Sequence, residues 1–196
     1  MSKIKVPFID LKQRYEDEKK EILDCVDKVL SKGHLVMTPE LENFENEICE
    51  FTGAKYCIGL NSGTDALMMG LMTAGVKRND EVITTPISFV ATSGAIAHLG
   101  AKPVYVDTQD DLNINPNLIE KAITEKTKAI VPVHWAGKIA NMTPIIEISK
   151  KYDIPVVEDS AQTMGSFYKS KHGGTFGLSR CYFLPSFKEP KWIRRW

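Results

Sequence analysis

The sequence lacks the features that mark several large functional classes. It has no excess of either charge: 25 Lys and Arg stand against 25 Asp and Glu over 196 residues. A chain without a basic surplus is poorly suited to a phosphate backbone, so nucleic acid is not expected as its main partner. It has no long uncharged apolar run, so no membrane partner is expected. Its first residues, Met1-Ser2-Lys3-Ile4-Lys5, lack the apolar stretch of a secretory leader, and the expected compartment is the cytoplasm. Cysteine is scarce: Cys25, Cys49, Cys57 and Cys181 show neither CxxC spacing nor a clustered histidine. No metal site is expected, and the thiols read as reduced. Neither a P-loop nor a GxGxxG turn occurs.

What is present is a globular composition, 43% hydrophobic. Residues 11–30 alternate charges with Tyr15, Ile22, Val26 and Val29, the pattern of an amphipathic helix ended by Gly33. Thr38 and Pro39 then open a second helix as N-cap and first helical residue. After Gly53 short apolar runs alternate with helical stretches. Strands are predicted at 56–60, 81–85, 103–106, 129–133 and 154–157. Helices are predicted at 65–73, 88–99, 116–123 and 144–152, and a hairpin at 166–174. This alternation predicts an α/β domain with a parallel-rich sheet covered by helices on both faces, behind a helical amino-terminal arm. The expected divisions are an arm over 1–52, a partial domain over 53–181 and an aberrant tail over 182–196.

In such a sheet, ligands bind beyond the carboxyl ends of the strands. Ser62-Gly63-Thr64 follows a predicted strand and opens a helix, where free N–H groups and the helix dipole suit a phosphate; the same tripeptide also serves as an ordinary helix start. Phe89 follows another strand and could stack on a flat ring or fill the core. Asp159 could pair with a pyridinium nitrogen or cap a turn. Gln162 could bond a ring hydroxyl or lie on the surface. His134 reads as a satisfied core or supporting histidine.

Taken in order, these segments resemble the DegT/DnrJ/StrS sugar aminotransferases. The resemblance runs through Val6-Pro7-Phe8-Ile9-Asp10-Leu11, Asn61-Ser62-Gly63-Thr64-Asp65-Ala66-Leu67, Ser88-Phe89-Val90-Ala91-Thr92, Gly100-Ala101-Lys102-Pro103-Val104-Tyr105-Val106-Asp107 and Val157-Glu158-Asp159-Ser160-Ala161-Gln162. It implies an incomplete large domain of the aspartate-aminotransferase fold (fold type I), with pyridoxal 5'-phosphate as cofactor. It also implies nucleotide-linked keto sugars and glutamate as substrates, and a homodimer in full-length relatives. By the same resemblance, Gly63 and Thr64 hold the phosphate, Phe89 stacks on the ring, Asp159 pairs with its nitrogen and Gln162 contacts its hydroxyl.

The resemblance breaks after Cys181. The family continues Cys-Phe-Ser-Phe-His-Pro-Leu-Lys-Asn-Leu-Asn, whereas this chain reads Cys181-Tyr182-Phe183-Leu184-Pro185-Ser186-Phe187-Lys188-Glu189. Permitted codons for residues 182–196, read one nucleotide later, restore the family run, so a frameshift near Cys181 is the expectation. In this register Lys188 occupies the place of the cofactor-bearing lysine, with Phe183 where a phosphate-contacting serine belongs. The alternative to an aminotransferase is a catalytically inactive fragment that at most binds the cofactor weakly.

Overall fold

A computed structural model describes residues 10–33 and 35–183. The segment 6–9 of the opening motif, Lys188 and the tail over 184–196 lie outside the described residues. Helix α1 (Leu11–Leu30) is capped by Asp10, whose carboxylate accepts the Gln13 N–H, and none of its residues is buried. Helix α2 (Pro39–Thr52) starts as the sequence predicts, with Thr38 as N-cap and Pro39 in the first turn. It buries Ile48 and Thr52 and ends at Gly53 in the left-handed region.

The domain then alternates as expected: α3 (Gly63–Thr73), β1 (Glu81–Thr84), α4 (Val90–His98), β2 (Lys102–Tyr105), α5 (Pro116–Ala122), β3 (Thr127–Ile130), α6 (Met142–Tyr152) and β4 (Val157–Asp159). A hairpin follows, β5 (Phe167–Tyr168) with β6 (Lys171–His172), and then β7 (Ser179–Cys181). Strands β2, β1 and β3 pair in parallel in that order, and β4 pairs in parallel with β7. Parallel bridges Ile130↔Val156 and Val133↔Asp159 join the two groups. The lateral order is therefore β2-β1-β3-β4-β7, with the carboxyl ends of the strands on one rim.

Period-two alternation assigns the strand side chains to two cores. Val82, Ala129, Val131 and Val157 pack with Leu67 and Leu71 of α3 and Ala95 and Ile96 of α4. Ile83, Ile130 and Val156 pack with Ile119 of α5 and Met142, Ile145 and Ile148 of α6. The parallel sheet thus has helices on both faces, as the apolar runs predicted.

The strand expected at 56–60 does not form. The run joins no ladder, because no strand among the described residues pairs with it to accept its backbone groups. Its Gly59 N–H instead donates to the Glu45 carboxylate of α2 at 2.7 Å. An open groove separates it from β7, and Tyr56, Ile58 and Leu178 remain exposed along that groove.

Candidate active site

Five chain segments converge on the rim. Their side chains line a cavity of about 360 Å³ that includes Ser62, Gly63, Thr64, Ser88, Phe89, His134, Asp159, Gln162 and Cys181. Its volume falls in the range of small-molecule sites, roughly 300–1,000 Å³. The structure therefore brings together Gly63, Thr64, Phe89, Asp159 and Gln162, which are scattered over a hundred residues of sequence.

At one end lies the start of α3. Ser62 is extended, and its Oγ accepts the Asp65 N–H at 3.1 Å while donating to the Asp65 carboxylate at 2.8 Å. This reciprocal cap leaves the first N–H groups of the helix, those of Gly63 and Thr64, unclaimed by the cap. A Cβ on residue 63 would meet Phe183 Cβ at 3.4 Å and Cys181 Sγ at 3.6 Å, ordinary contact distances, so these two residues pack directly against the first turn of the helix.

At the other end lies Asp159, the last residue of β4, only 6% exposed. Its Oδ2 accepts from Thr92 Oγ1 at 2.6 Å and its Oδ1 from the Ala161 N–H at 3.3 Å. A carboxylate has about four acceptor positions, so both oxygens keep capacity for a ligand. The two ends are close. Asp159 registers with Cys181 across the β4–β7 ladder, and the Cys181 thiol donates to the Gly63 carbonyl at 2.9 Å.

The flanks suit a flat ring. Phe89 lines the cavity yet is 71% exposed, so the protein itself does not fill the space over its ring. Gln162 Oε1 accepts the Ala136 N–H at 2.7 Å, which leaves the amide nitrogen as the end available to a ligand. Ala136 sits in a short 3-10 turn (Trp135–Gly137) in the left-handed region, at φ 52°. That strained residue aims its N–H at Gln162.

His134 and Glu158 support the site from behind. His134 Nδ1 accepts the Ala140 N–H at 3.2 Å, which places the ring proton on Nε2, 3.0 Å from Glu158 Oε2. Glu158 also accepts backbone N–H groups from Gly174, Phe176 and Gly177 at 3.0, 2.7 and 2.6 Å. Its neighbour Asp159 points the opposite way, into the cavity. Sequence reasoning noted Glu158 only as part of a motif; the period-two alternation of a strand ending in two acids was the available signal.

Burial, with the Asp159 carboxylate adding to it, pushes the Cys181 thiol up from its ordinary 9.0 to about 12. The thiolate is the reactive form. At pH 8, a thiol reagent is expected to label exposed Cys25 while leaving Cys181 intact until the chain is denatured; mass spectrometry of the digest reads this. The sign for stability follows: the folded state prefers the neutral thiol, so its contribution is complete below pH 9 and is lost as pH rises toward 12.

Among the described residues there is no helix long and apolar enough to cross a membrane, and no cluster of three or more potential metal ligands.

Comparison with known proteins agrees with this arrangement. Residues 16–193 match the DegT/DnrJ/EryC1/StrS aminotransferase family. The chain is 42% identical over 183 residues to a pleiotropic regulatory protein of Geobacillus stearothermophilus, covering 92% of this chain and 49% of that protein. It is 44% identical to the UDP-2-acetamido-2-deoxy-3-oxo-D-glucuronate aminotransferase of Pseudomonas aeruginosa, covering 92% of this chain and 51% of the enzyme. The crystal structure of NtdA from Bacillus subtilis with bound cofactor PMP superposes with a TM-score of 0.82 at 38% identity, over 89% of this chain and 40% of NtdA. The chain thus spans about half the length of the curated relatives it matches.

Proposed function

Because this chain belongs to the DegT/DnrJ/EryC1/StrS aminotransferase family, we propose that its rim cavity holds pyridoxal phosphate and that the chain represents the cofactor-binding part of a sugar aminotransferase. The reaction proposed is amino transfer from glutamate to a nucleotide-linked keto sugar, in a homodimer. Relatives named as aminotransferases of UDP- and dTDP-linked sugars support that substrate class. When bound, the cofactor would supply an electron sink for breaking bonds at the amine-bearing carbon.

The observation that carries this reading is the bond from Cys181 to Gly63, which sets the phosphate end and the Asp159 end of one cavity side by side. In this reading the Gly63 and Thr64 N–H groups receive the phosphate oxygens. Phe89 covers one ring face, Asp159 holds the proton on the pyridine nitrogen, and Gln162 donates to the ring hydroxyl. Lys188 would carry the covalent link to the cofactor. The proposed division keeps residues 1–52 as an arm, 53–181 as the partial cofactor domain and 182–196 as a distinct tail.

One observation favours the second reading, a fragment that binds the cofactor weakly and does not turn over. The side chain of Phe183 lies against the start of α3, where a hydroxyl would serve a phosphate better. A titration with pyridoxal phosphate, followed by protein fluorescence and visible absorbance, tests both. Saturable binding is expected, tightening roughly tenfold in Phe183→Ser, the worth of one hydrogen bond to a charged group. An absorbance change that Lys188→Ala abolishes would favour the first reading. Absence of saturable binding in either protein would refute the cavity assignment.

A further inference from the structure

The side chain that fixes the orientation of Asp159 comes from α4. Thr92 is 1% exposed, and its Oγ1 lies 2.6 Å from Asp159 Oδ2 and 2.6 Å from Ser88 Oγ. A carboxylate has no proton to give, so the single Thr92 proton goes to Asp159. The proton shared between the two hydroxyls must then come from Ser88. The result is a directed chain, Ser88 to Thr92 to Asp159, which holds one carboxylate oxygen while the Ala161 N–H holds the other.

Packing does not require a hydroxyl at position 92. Valine has the same shape, whereas a buried hydroxyl costs free energy unless it is bonded. The chain also begins at the turn that presents Phe89, the N-cap of α4. One helix start therefore governs both the group over the ring face and the group at the ring edge.

We propose that Thr92 is the positioning residue that aims the Asp159 carboxylate at the pyridine nitrogen, and that Ser88 locks the direction of the Thr92 proton. The inference rests on the reading of the cavity as a pyridoxal-phosphate site. Fixing the carboxylate in advance spares the ordering cost that binding would otherwise incur, and it aligns a charged acceptor with the ring N–H.

The test uses pyridoxal phosphate labelled with 15N at the ring nitrogen, added to the full chain and to Thr92→Val, Thr92→Ser and Ser88→Ala. Fluorescence titration gives the dissociation constant, and the 15N resonance reports protonation of the bound ring. Thr92→Val is expected to weaken binding roughly tenfold and to move the resonance toward the unprotonated position. Thr92→Ser should restore both, and Ser88→Ala should give a smaller shift in the same direction. An unchanged resonance in Thr92→Val, or no rescue by serine, would reduce Thr92 to packing and overturn the proposal. Failure of the unaltered chain to bind pyridoxal phosphate would instead refute the cavity reading, and the inference with it.

Discussion

Glu158→Ala is expected to destabilise the chain by about 3–5 kcal/mol, because it leaves four donors without their shared buried acceptor. Glu158 is completely buried and accepts four hydrogen bonds, three from the backbone of residues 174–177 and one from His134. Without it, those N–H groups lose their acceptor. Each costs about 1–3 kcal/mol if it stays dry, and water entering the space recovers part of that. Domains of this size have only about 5–15 kcal/mol in hand. Glu158→Gln should cost less, because one oxygen remains, but its NH₂ must then face two of the same donors, since each carboxylate oxygen accepts two. Urea denaturation followed by circular dichroism measures both; a Glu158→Ala midpoint equal to that of the unaltered chain would show that the carboxylate does not anchor the segment that follows it.

The second large effect is expected at Asp159. Asp159→Asn keeps the shape and can still accept from Thr92, but it removes the negative charge from a site 6% exposed. Truncating one partner of a buried, hydrogen-bonded charge pair costs roughly 2–5 kcal/mol. At 1.4 kcal/mol per tenfold, that is a loss of about 30- to several-thousand-fold in affinity for pyridoxal phosphate. Inorganic phosphate, which would reach only the Gly63 end, should bind the variant as it binds the unaltered chain. Equal loss for both ligands would indicate a collapsed cavity and not a missing ring contact.

The fold was legible where residue patterns act locally. The runs around Val82, Ile130 and Val157 announced strands buried on two faces, the run around Val104 announced a strand that lies half-exposed at the sheet edge, and Thr38-Pro39 announced a helix start. The run at 56–60 has the same composition, yet a strand needs a neighbour to complete its hydrogen bonds, and sequence does not reveal whether one is present. The opposite error occurred at β7. Ser179-Arg180-Cys181 has no apolar run, and only its ladder with Val157-Glu158-Asp159 makes it a strand.

The site divides in the same way. That Phe89, Asp159 and Gln162 meet on one rim follows from their places after strands β1 and β4, whereas Gly63 and Thr64 reach it from the start of α3 with no strand before them, and only the family motif pointed to them. Thr92 did not stand out, because within its helix it reads as an ordinary β-branched residue and its partner is 67 positions away. The role of Glu158 was hidden for a related reason: three of its donors come from a loop whose path is set by tertiary structure.

The bond from the Cys181 thiol to the Gly63 carbonyl, together with the adjacent β4–β7 ladder, acts as a caliper. Its two jaws are the first turn of α3 and the last residue of β4, and neither can shift without disturbing the same cysteine. The span between them is therefore a built-in length. In the proposed reading an occupant must reach both jaws at once, so length would be the first property by which the cavity sorts its ligands.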